Sequence, residues 1–396
     1  MRRISFGLSA VALVLVACGG EAVTPPTTPT PPVATTAPAP TETPAPVAEA
    51  PKAAPQLSMP ELQKKAGMAM GEAINAHDAK KLASLYTENA TLKIAGAPDM
   101  TGRDALVKHW DMIFKAFPDM KTMSSRVWMK GDVVVVEWGW TGKHSTEFPP
   151  GVKATEKPVG AMAVDVMWFT PEGLVKEQHT YHDMGTVMSQ IGVSKQKGRP
   201  VPTLATAPTT VVSTNAADEA KNVEAAKKMY AAFEKKSDAD FLGNSADDLA
   251  WDDMTMPETM KGKAAGKKFF GEMTKAFPDV KMETTNVWAV GDFVIAEGTL
   301  SGTHKGAFMG IQPTKKAISL HGIDILQYKD GKMIRGWSYG NGAEMMTQLG
   351  LMPQPGAKAA DPKAAPAKAD AKAADPKAAP AKTDAKPATP AAPAKK

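Results

Sequence analysis

One cysteine stands in 396 residues. That excludes an intramolecular disulfide, a cysteine-built zinc site and a dithiol redox pair, and it leaves one sulfur whose position has to account for it. Long apolar runs are also missing, because the stretch from about Ile4 to Val16 falls short of the roughly 20 residues that a helical membrane span needs. Excess charge is absent from the body of the chain. The formal net charge of +5 sits in residues 357–396, where nine Lys face four Asp, while residues 57–356 net to zero. A neutral body with a basic tail offers no surface for counterion-release binding, so no nucleic-acid partner is expected. The length is too great for one ordinary domain.

Residues 1–18, MRRISFGLSAVALVLVAC, have the layout of a secretory signal: two arginines, a short apolar core, then Ala17 and Cys18. Leu15 to Cys18, "LVAC", resembles the bacterial lipobox. That resemblance implies lipidation of Cys18 with several acyl chains, which anchor stably where one would not. Gly19, in place of an acidic residue, points by the same resemblance to the outer membrane. The chain is therefore expected to be exported and lipid-anchored in a bacterial envelope. An ordinary signal peptide with an incidental cysteine is the alternative, although an unpaired exposed thiol is a liability in an oxidising compartment.

Two segments lack the large apolar residues needed to offset chain entropy. Residues 19–56 are rich in Pro, Thr and Ala and read as a disordered, extended tether. Residues 355–396 carry a near-exact repeat, KAADPKAAPAKADA from Lys358 and KAADPKAAPAKTDA from Lys372, with prolines that interrupt any helix. This basic tail is expected to be disordered, serving either weak contact with anionic polymers and headgroups or solubility alone.

Between the tails the chain repeats itself. "KAFPDM" at Lys115 returns as "KAFPDV" at Lys275, Trp128 as Trp288 and His144 as His304, all offset by 160; later pairs, such as Tyr181 with Tyr339, are offset by 158. The repeats span 57–195 and 216–354, joined by a Pro/Thr-rich linker at 196–215. Within the first, Ser58 and Glu61 form a capping box ahead of Leu62, Ala66, Ala69 and Ala73 at helical spacing. The second has Val223, Ala226, Tyr230 and Phe233. Asp78 and Asp238 are the expected caps of a second short helix, and a third carries Leu106, Trp110, Ile113 and Phe117 on one stripe. Runs with strand character follow at Ser125–Met129, Asp132–Thr141, Met162–Phe169 and Leu174–Tyr181. Helices first and an antiparallel sheet afterwards is an α+β order.

The second repeat contains "SGTHKGAFMGIQPTKK", "HGIDILQYKDGKMIRGW" and "EMMTQLG". Together these resemble the SnoaL-like polyketide (ester) cyclases of the nuclear transport factor 2-like superfamily. The first repeat is similar through "TGKHSTEF", "AVDVMWFTPEGLVKEQH" and "VMSQIG". The resemblance implies two cone-shaped domains, each with three helices closing over a curved antiparallel sheet around an apolar pocket. It also implies acid/base chemistry by a pocket carboxyl group, with no metal or cofactor.

The family pattern E-x-W-x-x-x-D falls on Glu177, His179 and Asp183 in the first repeat, with His179 in place of the tryptophan. Strand alternation puts Glu177, His179 and Tyr181 on one face, and Asp183 joins them if the strand continues. A carboxyl group in an apolar pocket has a raised pKa, which suits proton transfer. Asp183 is the candidate acid/base, or else the cap of the helix beginning near Thr186. Glu177 is a second candidate, or an ion-pair partner. In the second repeat the positions read Arg335, Trp337 and Asn341, so both carboxylates are gone and catalysis is expected only in the first. His144 and His304 are either site residues or structural hydrogen-bonding groups at a strand end. Trp110, Trp128, Trp138, Met167, Trp288, Trp337 and Asn341 are pocket candidates, the tryptophans having core packing as the alternative. The many methionines suit an adaptable apolar pocket and equally an imperfect core. His182 should point away from Glu177 and His179, which leaves no metal shell.

Three functions stay open. One is a tethered module binding a small apolar or ring-containing molecule. Another is a cyclase-like or isomerase-like enzyme with a degenerate second repeat. The third is an assembly protein whose domains pair with each other or with another subunit.

Overall fold

The computed structural model describes residues 57–352; Cys18, the tether 19–56 and the tail 355–396 lie outside the described residues. The first repeat opens with α1 (Met59–Asn75), where the Glu61 carboxylate accepts from the Ser58 N–H at 2.7 Å and from its hydroxyl at 2.6 Å. Then come α2 (Ala79–Ser84), capped as expected by Asp78, β1 (Tyr86–Ile94), β2 (Met100–Thr101) and α3 (Arg103–Ala116). Strands β3 (Lys121–Lys130), β4 (Val133–Lys143), β5 (Pro158–Phe169) and β6 (Val175–His182) complete it, with α4 (Met184–Ile191) after them. The linker carries β7 (Thr209–Val212).

The second repeat runs through α5 (Ala217–Lys235), α6 (Asp238–Leu242), β8 (Ser245–Asp253), β9 (Met260–Lys261), α7 (Gly262–Ala276), β10 (Lys281–Val290), β11 (Phe293–Thr303), β12 (Ala317–Lys329), β13 (Lys332–Tyr339) and α8 (Gly342–Gln348). The cap of α6 is Ser237, one residue before the expected Asp238; its hydroxyl accepts from the Asp240 N–H at 3.1 Å.

The α+β class stands, with two corrections. Each sheet is mixed rather than antiparallel, because the first long strand of each repeat pairs parallel with the last: Leu92 lies opposite Gln178 and Trp251 opposite Gly336. Each repeat also closes with a helix, α4 at the place expected near Thr186 and α8 in the second repeat. The linker is not merely a connector, since β7 adds to the edge of the first sheet, parallel to β3. Strand β1 escaped the sequence reading for a physical reason. A shift of register between Tyr86 and Thr91, together with exposed Glu88 and Asn89, hides the period-2 pattern.

Each sheet buries one face against its own helices. In the first repeat that interior holds Met70, Leu106, Met167 and Phe169, with Phe114, Phe117 and Trp140 toward the other end. In the second it holds Phe233, Phe241, Phe270 and Phe277. The opposite faces of the two sheets meet in one shared cluster, in which Trp128, Val135, Val166 and Tyr181 pack with Ile295, Ile323, Ile325 and Tyr339.

Polar contacts cross this interface reciprocally. Tyr181 donates to Glu297 at 2.8 Å, and Tyr339 donates to Glu137. The Asp183 carboxylate accepts from the Gly342 N–H at 2.8 Å, while the Asn341 side-chain amide donates to the Ala95 carbonyl at 2.9 Å. Both glutamates are buried, and each has a partner from its own repeat, Arg126 for Glu137 and Asn286 for Glu297.

Candidate functional site

The residues expected to line a pocket divide between two faces. Glu177, His179 and Tyr181 do share one side of β6, but that side faces the second repeat. Glu177 pairs with Lys93 at 2.6 Å, and His179 lies between Glu177 at 3.0 Å and Glu297 at 2.9 Å. Trp128, Trp288 and Trp337 belong to the same interface: Trp128 meets Phe293 edge-on at 5.3 Å, Trp288 meets Trp168 at 5.9 Å, and the Arg126 guanidinium lies 3.7 Å from the centre of the Trp337 ring. Asp183 caps α4, accepting from the Gly185 and Thr186 N–H groups at 2.9 and 2.8 Å. Asn341 caps α8 at the matching position. His144 and His304 are fully buried, each with Nδ1 against a threonine hydroxyl, Thr155 at 3.1 Å and Thr314 at 3.2 Å. Trp110, Trp138 and Met167 do face the interior of the first repeat, where they pack among Phe114, Phe117 and Leu92.

The open interior belongs to the second repeat. Trp138 on β4 stands opposite Ser124 and Ala163; at the same place on β11, Gly298 stands opposite Thr284 and Gly322. An indole in one cone is thus a hydrogen atom in the other. Gln178 on β6 likewise becomes Gly336 on β13, where a Cβ would come within 2.6 Å of the Trp251 ring, so glycine lets that ring lie across the strand. These replacements accompany a cavity of about 210 Å³. Phe233, Phe241, Trp251, Phe269 and Leu300 form much of its wall, and Met229, Met256, Met273, Met282, Met309 and Met345 supply flexible thioethers. The methionine-lined pocket therefore lies in the second repeat.

Three acidic residues line this cavity, Asp253, Asp324 and the interface residue Glu297, and none comes from the positions that the family pattern marks. Asp324 on β12 accepts from the Ser338 hydroxyl at 2.6 Å and the Tyr230 hydroxyl at 3.0 Å, and Trp251 Nε1 donates to Ser338 Oγ at 2.8 Å. Burial pushes the Asp324 carboxyl up to about 6 against the pull of those hydroxyls. Asp253, at the end of β8, accepts from the Thr255 N–H and hydroxyl at 2.9 and 2.7 Å and is also raised by burial. Among the described residues no lysine or arginine lines the cavity. The pattern positions of the second repeat hold no carboxylate, as Arg335 and Asn341 require, but Asp253 on β8 and Asp324 on β12 bring carboxyl groups to the pocket from elsewhere.

The first repeat keeps a counterpart. Asp165 on β5 lies opposite Val136 and Thr180, as Asp324 lies opposite Ala296 and Ser338. It ends a chain in which Tyr86 donates to Gln178 at 2.5 Å, Gln178 to Thr180 at 3.0 Å, and Thr180 to Asp165 at 2.7 Å. Burial pushes Asp165 up to about 7. His182, on the inner face as alternation requires, is pushed down to about 4 by burial, with a further contribution from His109. A lone aspartate inside each apolar run, "AVDVMWF" and "HGIDILQY", was the signal that could have found both acids.

Comparison with known proteins agrees with this architecture. The model of the SnoaL-like polyketide cyclases matches residues 224–349, and that of the SnoaL-like domain matches residues 69–178. Among solved structures, AclR from Streptomyces galilaeus is 27% identical over 34% of this chain and 88% of its own, with a TM-score of 0.31. A protein from Jannaschia sp. CCS1 named for the SnoaL-like polyketide cyclases is 18% identical over 35% of this chain and 97% of its own, with a TM-score of 0.33. No curated protein matches the sequence. With both repeats matched and the same order of elements in each, the chain carries two SnoaL-like domains in tandem.

Proposed function

We propose that the second domain takes up a small, mostly apolar, ring-containing molecule in its cavity, and that the first domain holds it in place through the shared sheet interface. The observation that carries this reading is the volume opened opposite Gly298, walled by aromatic rings and thioethers with a few convergent polar groups at one side. The neutral aromatic probe N-phenyl-1-naphthylamine is expected to gain fluorescence saturably with the whole protein. Leu300 occupies the place of Trp140, so Leu300→Trp fills the cavity with a side chain the fold already accepts in the first domain. That variant should fold and lose the probe; undiminished binding would refute the reading. A carboxyl titrating near neutrality beside Tyr230 also suits proton exchange with a bound ring. Turnover abolished by Asp324→Asn would establish that catalytic reading.

Envelope anchoring through Cys18 is part of the same proposal, supported by the apolar run before it and by the "LVAC" pattern. Fractionation of a Cys18→Ala variant is expected to release the protein from the membrane, and full retention would overturn the assignment.

A further inference from the structure

The cavity of the second domain has an electrostatic imbalance that apolar binding leaves unexplained. Asp253, Asp324 and Glu297 line it, and among the described residues no lysine or arginine does. The one imidazole at its edge, His321, is exposed and lies 3.4 Å from Glu344. Buried carboxylates are ordinarily paired with a cation, because an isolated charge in an apolar site is costly. Some buried carboxylates of this protein follow that rule, Glu137 with Arg126, Glu219 with Lys130 and Asp252 with Arg335, whereas Asp183 is met by backbone N–H groups and Asp165 by the Thr180 hydroxyl. Asp253 and Asp324 have only hydroxyl and backbone N–H donors. Aromatic faces surround the same space, with Tyr230, Phe233, Phe241, Trp251 and Phe269 on its walls. Ring faces attract cations through their quadrupoles, so walls and acids favour the same sign of charge.

Resting on the binding reading above, we infer that the occupant is a lipophilic amine, an apolar ring system carrying one protonated or quaternary nitrogen held between Asp253 and Asp324 against the aromatic wall. A neutral hydrogen-bond donor would satisfy one acid and leave the other unpaired; a cation offsets the desolvation of both.

A matched pair of compounds tests this without any variant. Benzyltrimethylammonium and neopentylbenzene have nearly the same shape and differ in the charge at one atom. Each is titrated against N-phenyl-1-naphthylamine bound to the whole protein. At about pH 8 the cation is expected to displace the probe at a concentration roughly tenfold or more below that of the neutral compound.

The preference should shrink as pH falls through about 6, where Asp324 takes up its proton. The groups that face Asp324 are Tyr230 from α5, Ser338 from β13 and Asp253 from β8; Asp253 in turn feels Asp183 and Arg199. Asp253→Asn and Asp324→Asn should each lower affinity for the cation and leave the neutral compound unaffected. Equal or better displacement by neopentylbenzene overturns the amine inference while the binding reading survives. A wild-type protein that does not take up the naphthylamine overturns both.

Discussion

The Tyr181 hydroxyl of the first domain donates to the buried Glu297 of the second at 2.8 Å, and its counterpart Tyr339 returns the bond to Glu137. The two tyrosines occupy equivalent places in their repeats, so the interface has an approximate twofold relation built from unequal sequences. The inequality lies in what else holds each acid. Glu137 has Arg126 and Ser125, whereas Glu297 has Asn286 and, from the other domain, His179.

Removing either hydroxyl leaves a buried carboxylate short of one donor. Tyr181→Phe and Tyr339→Phe are each expected to lower stability by about 1–2 kcal/mol in denaturant unfolding. If both variants unfold at the wild-type midpoint with an unchanged slope, the hydrogen bonds do not contribute to the interface.

His179 makes the interface sensitive to pH. Burial alone would lower its pKa, but hydrogen bonds and charge from Glu297 and Glu177 outweigh that, and the imidazole titrates above its ordinary 6.5. Both ring nitrogens lie against carboxylate oxygens, so the doubly protonated form satisfies the site best. A group whose pKa rises on folding stabilises fully below its unfolded value and loses that contribution as pH climbs through the folded one. Stability should therefore fall from about pH 6.5 upward. His179→Gln should flatten this dependence. A profile that is the same with and without the imidazole would place its source elsewhere.

Asp183 is a structural group in this fold. Three backbone N–H groups meet its carboxylate, two in the first turn of α4 and one from Gly342 of the second domain. Asparagine keeps one acceptor oxygen but turns its NH2 group toward an N–H donor, so Asp183→Asn is expected to cost about 1 kcal/mol, whereas Asp183→Ala, which loses all three bonds, should cost about 2–3 kcal/mol. Equal melting of the two variants would show that the carbonyl-type oxygen at this position bears no cap.

The sequence by itself determined the two repeats, the caps at Ser58 and Asp78, most of the strands and the family. Each of these rests on local chemistry or a fixed spacing, which survives in one dimension. It also put Glu177, His179 and Tyr181 on a common face, because alternation along a strand needs no partner. Only tertiary structure decided which face looks into the cone. Both sides of β6 are covered, one by helices and the other by a second sheet, so no polar and apolar alternation distinguishes them. The cavity is likewise invisible along the chain, since it is a difference in filled volume summed over several strands. Trp138 against Gly298 opens it only once β4 and β11 stand in register with their neighbours. The acids that matter there, Asp253 and Asp324, come from strands far apart in sequence and gain their shared environment from burial alone.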